Sequence, residues 1–230
     1  MRHTDIFIFL GPPGSGKGSL SGLCTKRLGW MQFSTGNLCR QHIADRTEIG
    51  KKIDFIIKSG KLISDSLIME MVHEWLVPQL GSGCSIIFDG LPRTQAQAEA
   101  LDTLFKALDS HKIKVHVMRM AIDDSVIIDR VKTRAICQNK ECQAVYSLHE
   151  HSLQKPHKDM ICNDCSTSLA RRPEDEESVL KERLLIYHKH EDEIMNFYRS
   201  VGQPIHILSA EVPLEEVYKQ LVSLLDREFV

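Results

Sequence analysis

No stretch of this 230-residue chain approaches the ~20 consecutive apolar residues that a membrane-spanning helix needs. The first residues, Met1-Arg-His-Thr-Asp5, run straight into an apolar segment, so no signal peptide is expected. Neither sign of charge dominates: 29 Lys and Arg face 31 Asp and Glu, a net charge of −2. A broad nucleic-acid or membrane footprint is therefore not expected. Internal repeats and low-complexity segments are lacking, as are a Ser-His-Asp order and a carboxylate pair. The seven cysteines are odd in number and uneven in placement, which does not read as a disulfide framework. What is left is a cytoplasmic, soluble protein, 42% hydrophobic and 26% charged, expected to act as a monomer. Its length allows one α/β domain with insertions.

Against those absences one stretch stands out. The apolar run Asp5-Ile-Phe-Ile-Phe-Leu10 leads into Gly11-Pro-Pro-Gly-Ser-Gly-Lys17-Gly-Ser19, and a helical pattern follows with Leu20, Leu23, Cys24 and Leu28. Strand, glycine-rich loop and helix are the context of a phosphate-binding loop. Glycines let the backbone turn tightly and approach an anion, and loop N–H groups and the positive helix end then face the phosphates. Lys17 adds a charge for the outer phosphates. One departure is Gly18, where a Ser or Thr is expected; the first hydroxyl is Ser19.

Further strands are read at 30–33, 84–88, 113–120 and 204–208, with helices between them. The alternation predicts a three-layer α/β core around a five-stranded parallel sheet, assigned to 1–33, 64–130 and 176–230. Two pieces stand outside it, 34–63 and 131–175. In the first, Ser34 or Thr35 can cap a helix carrying Arg40, and 41–58 has isoleucines at helical spacing. Asp89, at the carboxyl end of a strand, suits Mg2+ held directly or through water, the other reading being a turn aspartate. Thr94-Gln-Ala-Gln97 resembles a capping box with Gln97 as its return partner.

The second piece lacks long apolar periodicity and carries Cys137-x4-Cys142 and Cys162-x2-Cys165. Two such knuckles read as a structural zinc ribbon, though His149, His151 or His157 could complete the site instead. The segment is not strongly basic and has one aromatic, Tyr146, so it does not read as a nucleic-acid binder. Arginines crowd the junctions: Arg40, Arg93, Arg130, Arg134, Arg172 and Arg183. Phosphoryl transfer asks for positioned positive charge, and arginine grips phosphates with paired hydrogen bonds.

In family order, Gly11–Ser19, Ser34-Thr-Gly-Asn-Leu-Cys-Arg40, Gly60-Lys-Leu-Ile-Ser-Asp65 and Asp89-Gly-Leu-Pro-Arg-Thr94 resemble the motifs of adenylate kinases. So do the Arg130/Arg134 pair, the cysteine-bearing lid and Arg172…Arg183. The resemblance spans essentially the whole chain and includes Gly18. It implies a P-loop kinase that transfers a phosphoryl group from Mg-bound ATP to AMP, giving two ADP. Segment 34–63 would then be the AMP-binding insertion and 131–175 a lid held by zinc on Cys137, Cys142, Cys162 and Cys165. Lys17, Arg93, Arg134, Arg172 and Arg183 would be catalytic. Gly14, Ser15, Gly16, Lys17, Gly18, Ser19, Arg130 and Arg134 would bind ATP. AMP would be held by Thr35, Gly36, Arg40, Lys61, Leu62, Ile63, Gly90, Arg93, Gln97, Arg172 and Arg183. Asp89 would organise Mg2+ through its waters. Another donor (GTP), another acceptor (UMP or CMP), or a weakly active nucleotide-binding homologue remain alternatives. Six positions depart from the family pattern: Ser19-Leu20 stands for Thr-Gln, Asn37 for an aspartate, Leu91 for an aromatic, Ala135 for the second of an arginine pair and Glu174 for an aspartate.

Overall fold

Every residue of the run 4–10 lies in strand β1 (Thr4–Leu10), whose side chains alternate between two buried faces. A run apolar on both faces belongs in the middle of a parallel sheet, and β1 is the central strand. In the computed structural model, which describes residues 4–58, 63–108, 113–139, 142–150, 152 and 154–228, the sheet order is β2-β3-β1-β4-β8. Its other strands are β2 (Met31–Ser34), β3 (Ile86–Asp89), β4 (Ile113–Ala121) and β8 (Ile205–Ser209). All pairs are parallel, with Ile6 beside Ile86 and Val115. The five expected strands are all present.

The two faces of β1 build two cores. Ile6, Ile8 and Leu10 pack with residues of α4 (Asp65–Leu76), α5 (Gln95–Ala107) and α7 (Glu177–Ser200). Phe7 and Phe9 pack with Leu20 and Cys24 of α1 (Lys17–Leu28) and Val217 and Leu221 of α8 (Leu214–Glu228). This is the expected three-layer core. Chain continuing from β1 goes to neighbours on both sides, so the crevice at the carboxyl ends of β1, β3 and β4 is a topological switch point, where open α/β sheets bind ligands.

The first insertion folds as two helices, α2 (Thr35–Ala44) and α3 (Glu48–Lys58). The Ser34 hydroxyl accepts the Asn37 N–H, which settles the cap in favour of Ser34. The helical spacing across 41–58 is interrupted at Arg46, whose φ is 51°, and Thr47 restarts the helix by accepting the Gly50 N–H at 2.9 Å. The two helices then cross so closely that a Cβ on Gly50 would lie 2.1 Å from the His42 carbonyl oxygen. Backbone cannot yield as a side chain can. Gly50→Ala is expected to cost about 1–3 kcal/mol, read by urea unfolding. A variant as stable as the parent would show that α2 and α3 do not meet there.

The second insertion follows α6 (Asp124–Lys132), and its strands do not join the main sheet. It has its own antiparallel sheet, with β5 (Arg134–Cys137) between β6 (Val145–Ser147) and β7 (Leu169–Ala170). Its small core is Ala135, Cys137, Tyr146, Cys162 and Leu169.

Candidate active site

The loop between β1 and α1 turns on glycine. Gly14 and Gly16 have φ of 85° and 95°, in the left-handed region that disfavours side chains. A Cβ on Gly14 would also sit 2.8 Å from Ile127 and Val131 of α6. Lys17 folds back into the loop and donates to Gly11 O at 2.6 Å, Pro12 O at 2.8 Å and Ser15 Oγ at 3.1 Å. Burial pushes its pKa from 10.5 down to about 7, with Arg93, Arg183 and Arg134 adding to the shift and Asp89 opposing it. The three oxygens favour the ammonium, but they do not outweigh desolvation among like charges.

Asp89 ends β3 beside this loop. Its Oδ2 accepts from Gln32 Nε2 at 3.1 Å and Ser34 Oγ at 3.4 Å, both on β2. A Cβ on Gly18 would lie 3.3 Å from the same oxygen, a tight contact. The missing hydroxyl after Lys17 thus has a local reason: any side chain there would crowd Asp89.

One cavity of about 1080 Å3 runs from the loop past Asp89 to both insertions. Its walls bring together Gly14–Ser19, Gly36, Arg40, Asp89, Gly90, Arg93, Arg130, Arg134, Arg172 and Arg183. Burial lowers the Arg172 pKa to about 9, with Arg40 and Arg134 adding, and the Arg183 pKa to about 10, with Arg93 adding. Burial lowers that of Arg93 as well. Such mutual discouragement of cations is relieved by an anion placed among them. Some of the charge is already met. Arg134 holds Asp175 through two bonds, one at 2.8 Å. Arg40 donates to Asn37 Oδ1 and, at 3.2 Å, to Glu174 Oε1. Arg93 Nε donates to Gly90 O at 2.8 Å. Arg172 Nε, Arg40 Nε and Thr35 Oγ1 are buried without a partner among the described residues.

Beside the large cavity a cleft of about 20 Å3 is lined by Thr35, Ile63, Gly90, Arg93 and Gln97 among others. Lys61 and Leu62, the two remaining candidates, lie outside the described residues. The Thr94 hydroxyl accepts the Gln97 N–H at 3.1 Å, as a capping box requires. The return bond is different: Gln97 Oε1 accepts from the Arg93 N–H at 2.7 Å, one residue before the cap. Gln97 Nε2 instead donates to Asp65 at 2.7 Å.

In the second insertion, Cys137, Cys142, Cys162 and Cys165 bring their sulfur atoms within 4.8 Å of one another. The Cys137–Cys165 and Cys142–Cys162 separations, 3.3 and 3.7 Å, are too long for disulfides. They approach the ~3.8 Å edge of a tetrahedron of sulfurs about 2.3 Å from zinc. The four thiols could therefore hold one metal ion. Among the described residues no histidine joins the cluster, and Cys24, Cys39 and Cys84 stand apart from it.

Two groups escaped the sequence reading. Gln32 and Asp65 hold Asp89 and Gln97 across the fold, and no spacing in the chain links them. Glu211, Val212 and Pro213 line the cavity near Arg130, where Glu211 opposes the burial that lowers the Arg130 pKa. The position of this segment after the last strand was a usable signal, because parallel strands bind ligands at their carboxyl ends. No described helix is long and apolar enough to cross a membrane.

The adenylate kinase family model matches residues 9–203. The chain is 34% identical to the adenylate kinase of Archaeoglobus fulgidus over 221 residues, 96% of this chain and 97% of that one. It is 35% identical to that of Kosmotoga olearia over 224 residues, 94% and 99% of the two chains. For Paracoccus denitrificans the figures are 35% over 222 residues, 96% of each chain. With a P-loop between the first strand and helix, a five-stranded parallel core and two insertions around one arginine-lined cavity, the chain belongs to the adenylate kinase family and is a phosphotransferase.

Proposed function

We propose that the two ends of the cavity divide the reaction ATP + AMP ⇌ 2 ADP between them. The observation that carries this is the convergence of Lys17, Arg93, Arg134, Arg172 and Arg183 on one cavity shared by the loop and both insertions. The loop amides of Gly14–Ser19 and Lys17 hold the donor phosphates, and Arg130 lies against the donor base. Arg40 and Arg93 grip the acceptor phosphate, while Thr35, Gly36, Lys61, Leu62, Ile63, Gly90 and Gln97 surround its nucleoside. Arg134, Arg172 and Arg183 spread positive charge over the group in flight. A phosphate oxygen of AMP attacks the terminal phosphorus of ATP. The bond to the β-phosphate bridging oxygen breaks, and each nucleotide leaves as ADP. The acceptor is already an anion, so no protein base is required.

Residues 34–63 serve as the acceptor insertion and 131–175 as the lid, whose closure excludes water from the transfer. Asp89 fits Mg2+, since its carboxylate sits beside Gly18 at the mouth of the loop. The ion would neutralise donor phosphate charge when bound. Zinc fits the four cysteines as a closed structural site.

A panel of donors and acceptors tests this reading by steady-state rates. ATP with AMP is expected to give the highest kcat/KM. UMP or CMP outrunning AMP, or GTP outrunning ATP, would overturn the assignment. Proton linkage gives a second test. Burial draws the pKa of free Lys17 down to about 7, so it holds its proton less firmly than it does beside a bound triphosphate, which favours the ammonium. ATP binding at pH 8 should therefore be accompanied by net proton uptake. The uptake should fade as pH falls through 7. Calorimetry in buffers of different ionisation enthalpy measures it. Proton release, or equal uptake in Lys17→Met, would contradict the expectation.

A further inference from the structure

Asp65 opens α4, outside the arginine cluster, and turns its carboxylate toward the start of α5. Its Oδ1 accepts from Gln97 Nε2 at 2.7 Å and its Oδ2 from Thr94 Oγ1 at 3.2 Å. Gln97 is 1% exposed, and its Oε1 accepts from the Arg93 backbone N–H at 2.7 Å. The amide is thus fixed at both ends. A backbone N–H can only donate, and a carboxylate can only accept. Turning the amide over would face its NH2 toward the Arg93 N–H and its oxygen toward Asp65. Both pairs would then repel.

A primary amide has two acceptor lone pairs and two N–H donors. These bonds use one of each, which leaves one acceptor on oxygen and one donor on nitrogen. Gln97 lines the small cleft with Thr35, whose Oγ1 is buried without a partner among the described residues. An acceptor base read by Gln97 meets an amide whose acceptor and donor ends cannot exchange. A 6-aminopurine matches it, offering an exocyclic N–H to the oxygen and a ring nitrogen to the remaining N–H. A 6-oxopurine puts a carbonyl where that N–H is needed. Discriminating the two requires that the amide not turn over, and a buried unpaired polar atom is costly.

We infer that Asp65 is a positioning residue that sets base selectivity at the acceptor site, by locking the Gln97 amide in the orientation that suits a 6-aminopurine monophosphate. The inference rests on the proposal that Gln97 reads the acceptor base. The Asp65 carboxylate touches neither nucleotide; it acts through Gln97 and, through Thr94, on the cap of α5.

The test compares kcat/KM for AMP and for inosine monophosphate at saturating ATP, in the full-length protein. Asp65→Ser suits a helix start but is too short to reach Gln97. It is expected to raise the KM for AMP about tenfold, the loss of one charge-assisted hydrogen bond. The preference for AMP over inosine monophosphate should shrink by about the same factor, with kcat and the KM for ATP within about twofold. Asp65→Asn keeps a carbonyl acceptor for Gln97 Nε2 and should hold the preference within about threefold. In a Gln97→Ala background, Asp65→Ser should cause no further loss, because the two residues act as a unit. An unchanged preference in Asp65→Ser, an equal fall in Asp65→Ser and Asp65→Asn, or the same fall with and without Gln97 overturns the inference. Gln97→Ala alone keeping full preference would refute the reading of Gln97, and the role of Asp65 with it.

Discussion

Lys17→Met is expected to lower kcat about a thousandfold while the protein stays folded. The argument begins with the cost of keeping Lys17 where it is. Its Nζ is enclosed by Gly11 O, Pro12 O and Ser15 Oγ, deep enough that burial takes its pKa to about 7. A group held at such cost is stabilised by the anion it faces, and most when that anion gathers charge in transfer. Methionine keeps the length and apolar stem and removes only the ammonium. Pro12 O retains the Ser15 N–H at 3.2 Å, so the loop keeps a turn bond of its own. Initial rates on the purified variant, with circular dichroism to confirm the fold, measure the effect. A fall under tenfold would move the electrostatic work to the arginines.

Removing the zinc proposed for the four-cysteine site should lower the thermal midpoint by roughly 10 °C. The core of the second insertion's small sheet contains five buried residues, and two of them, Cys137 and Cys162, belong to the four-cysteine cluster. A segment so small lacks the apolar area to hold itself, and bringing four thiols together without an ion leaves nothing to fix them. Cys137→Ser should do the same. The chemical step is affected less, because Arg134 is tied to Asp175 at the lid base rather than to the cluster. Elemental analysis should give one zinc per chain, and calorimetric scans before and after chelation give the shift. A metal-free protein with an unchanged midpoint would contradict a structural role.

Much of this was legible in the chain because local rules and the fold agree. The run 6–10, apolar on both faces, demands a central parallel strand, and the glycines after it demand a loop that few side chains could occupy. Departures from the family pattern become intelligible only in three dimensions. Leu20 is fully buried against Phe7 and Phe9, Leu91 is buried in the opposite core, and Ala135 fills the lid core, where a long charged side chain would have no room. Asn37 and Glu174 both bond to Arg40, so one acceptor has lost its charge while the other is a longer acid. Ser19 lines the cavity, and nothing in the fold explains its difference from threonine. Asp65 was visible as the end of a motif, but its role was not, because that role lies in a contact 32 residues away. Sequence periodicity reports faces of helices and strands, and it carries no record of which polar atoms meet across the fold.

The central claim is that a second nucleotide, rather than water, receives the phosphoryl group in this cavity. Phosphorus NMR of a mixture of ATP, AMP and Mg2+ with the purified protein tests it directly. Two ADP should appear for each AMP consumed, with no inorganic phosphate above background and no turnover when AMP is left out. Release of inorganic phosphate at a rate comparable to ADP formation, or ATP loss without AMP, would contradict it.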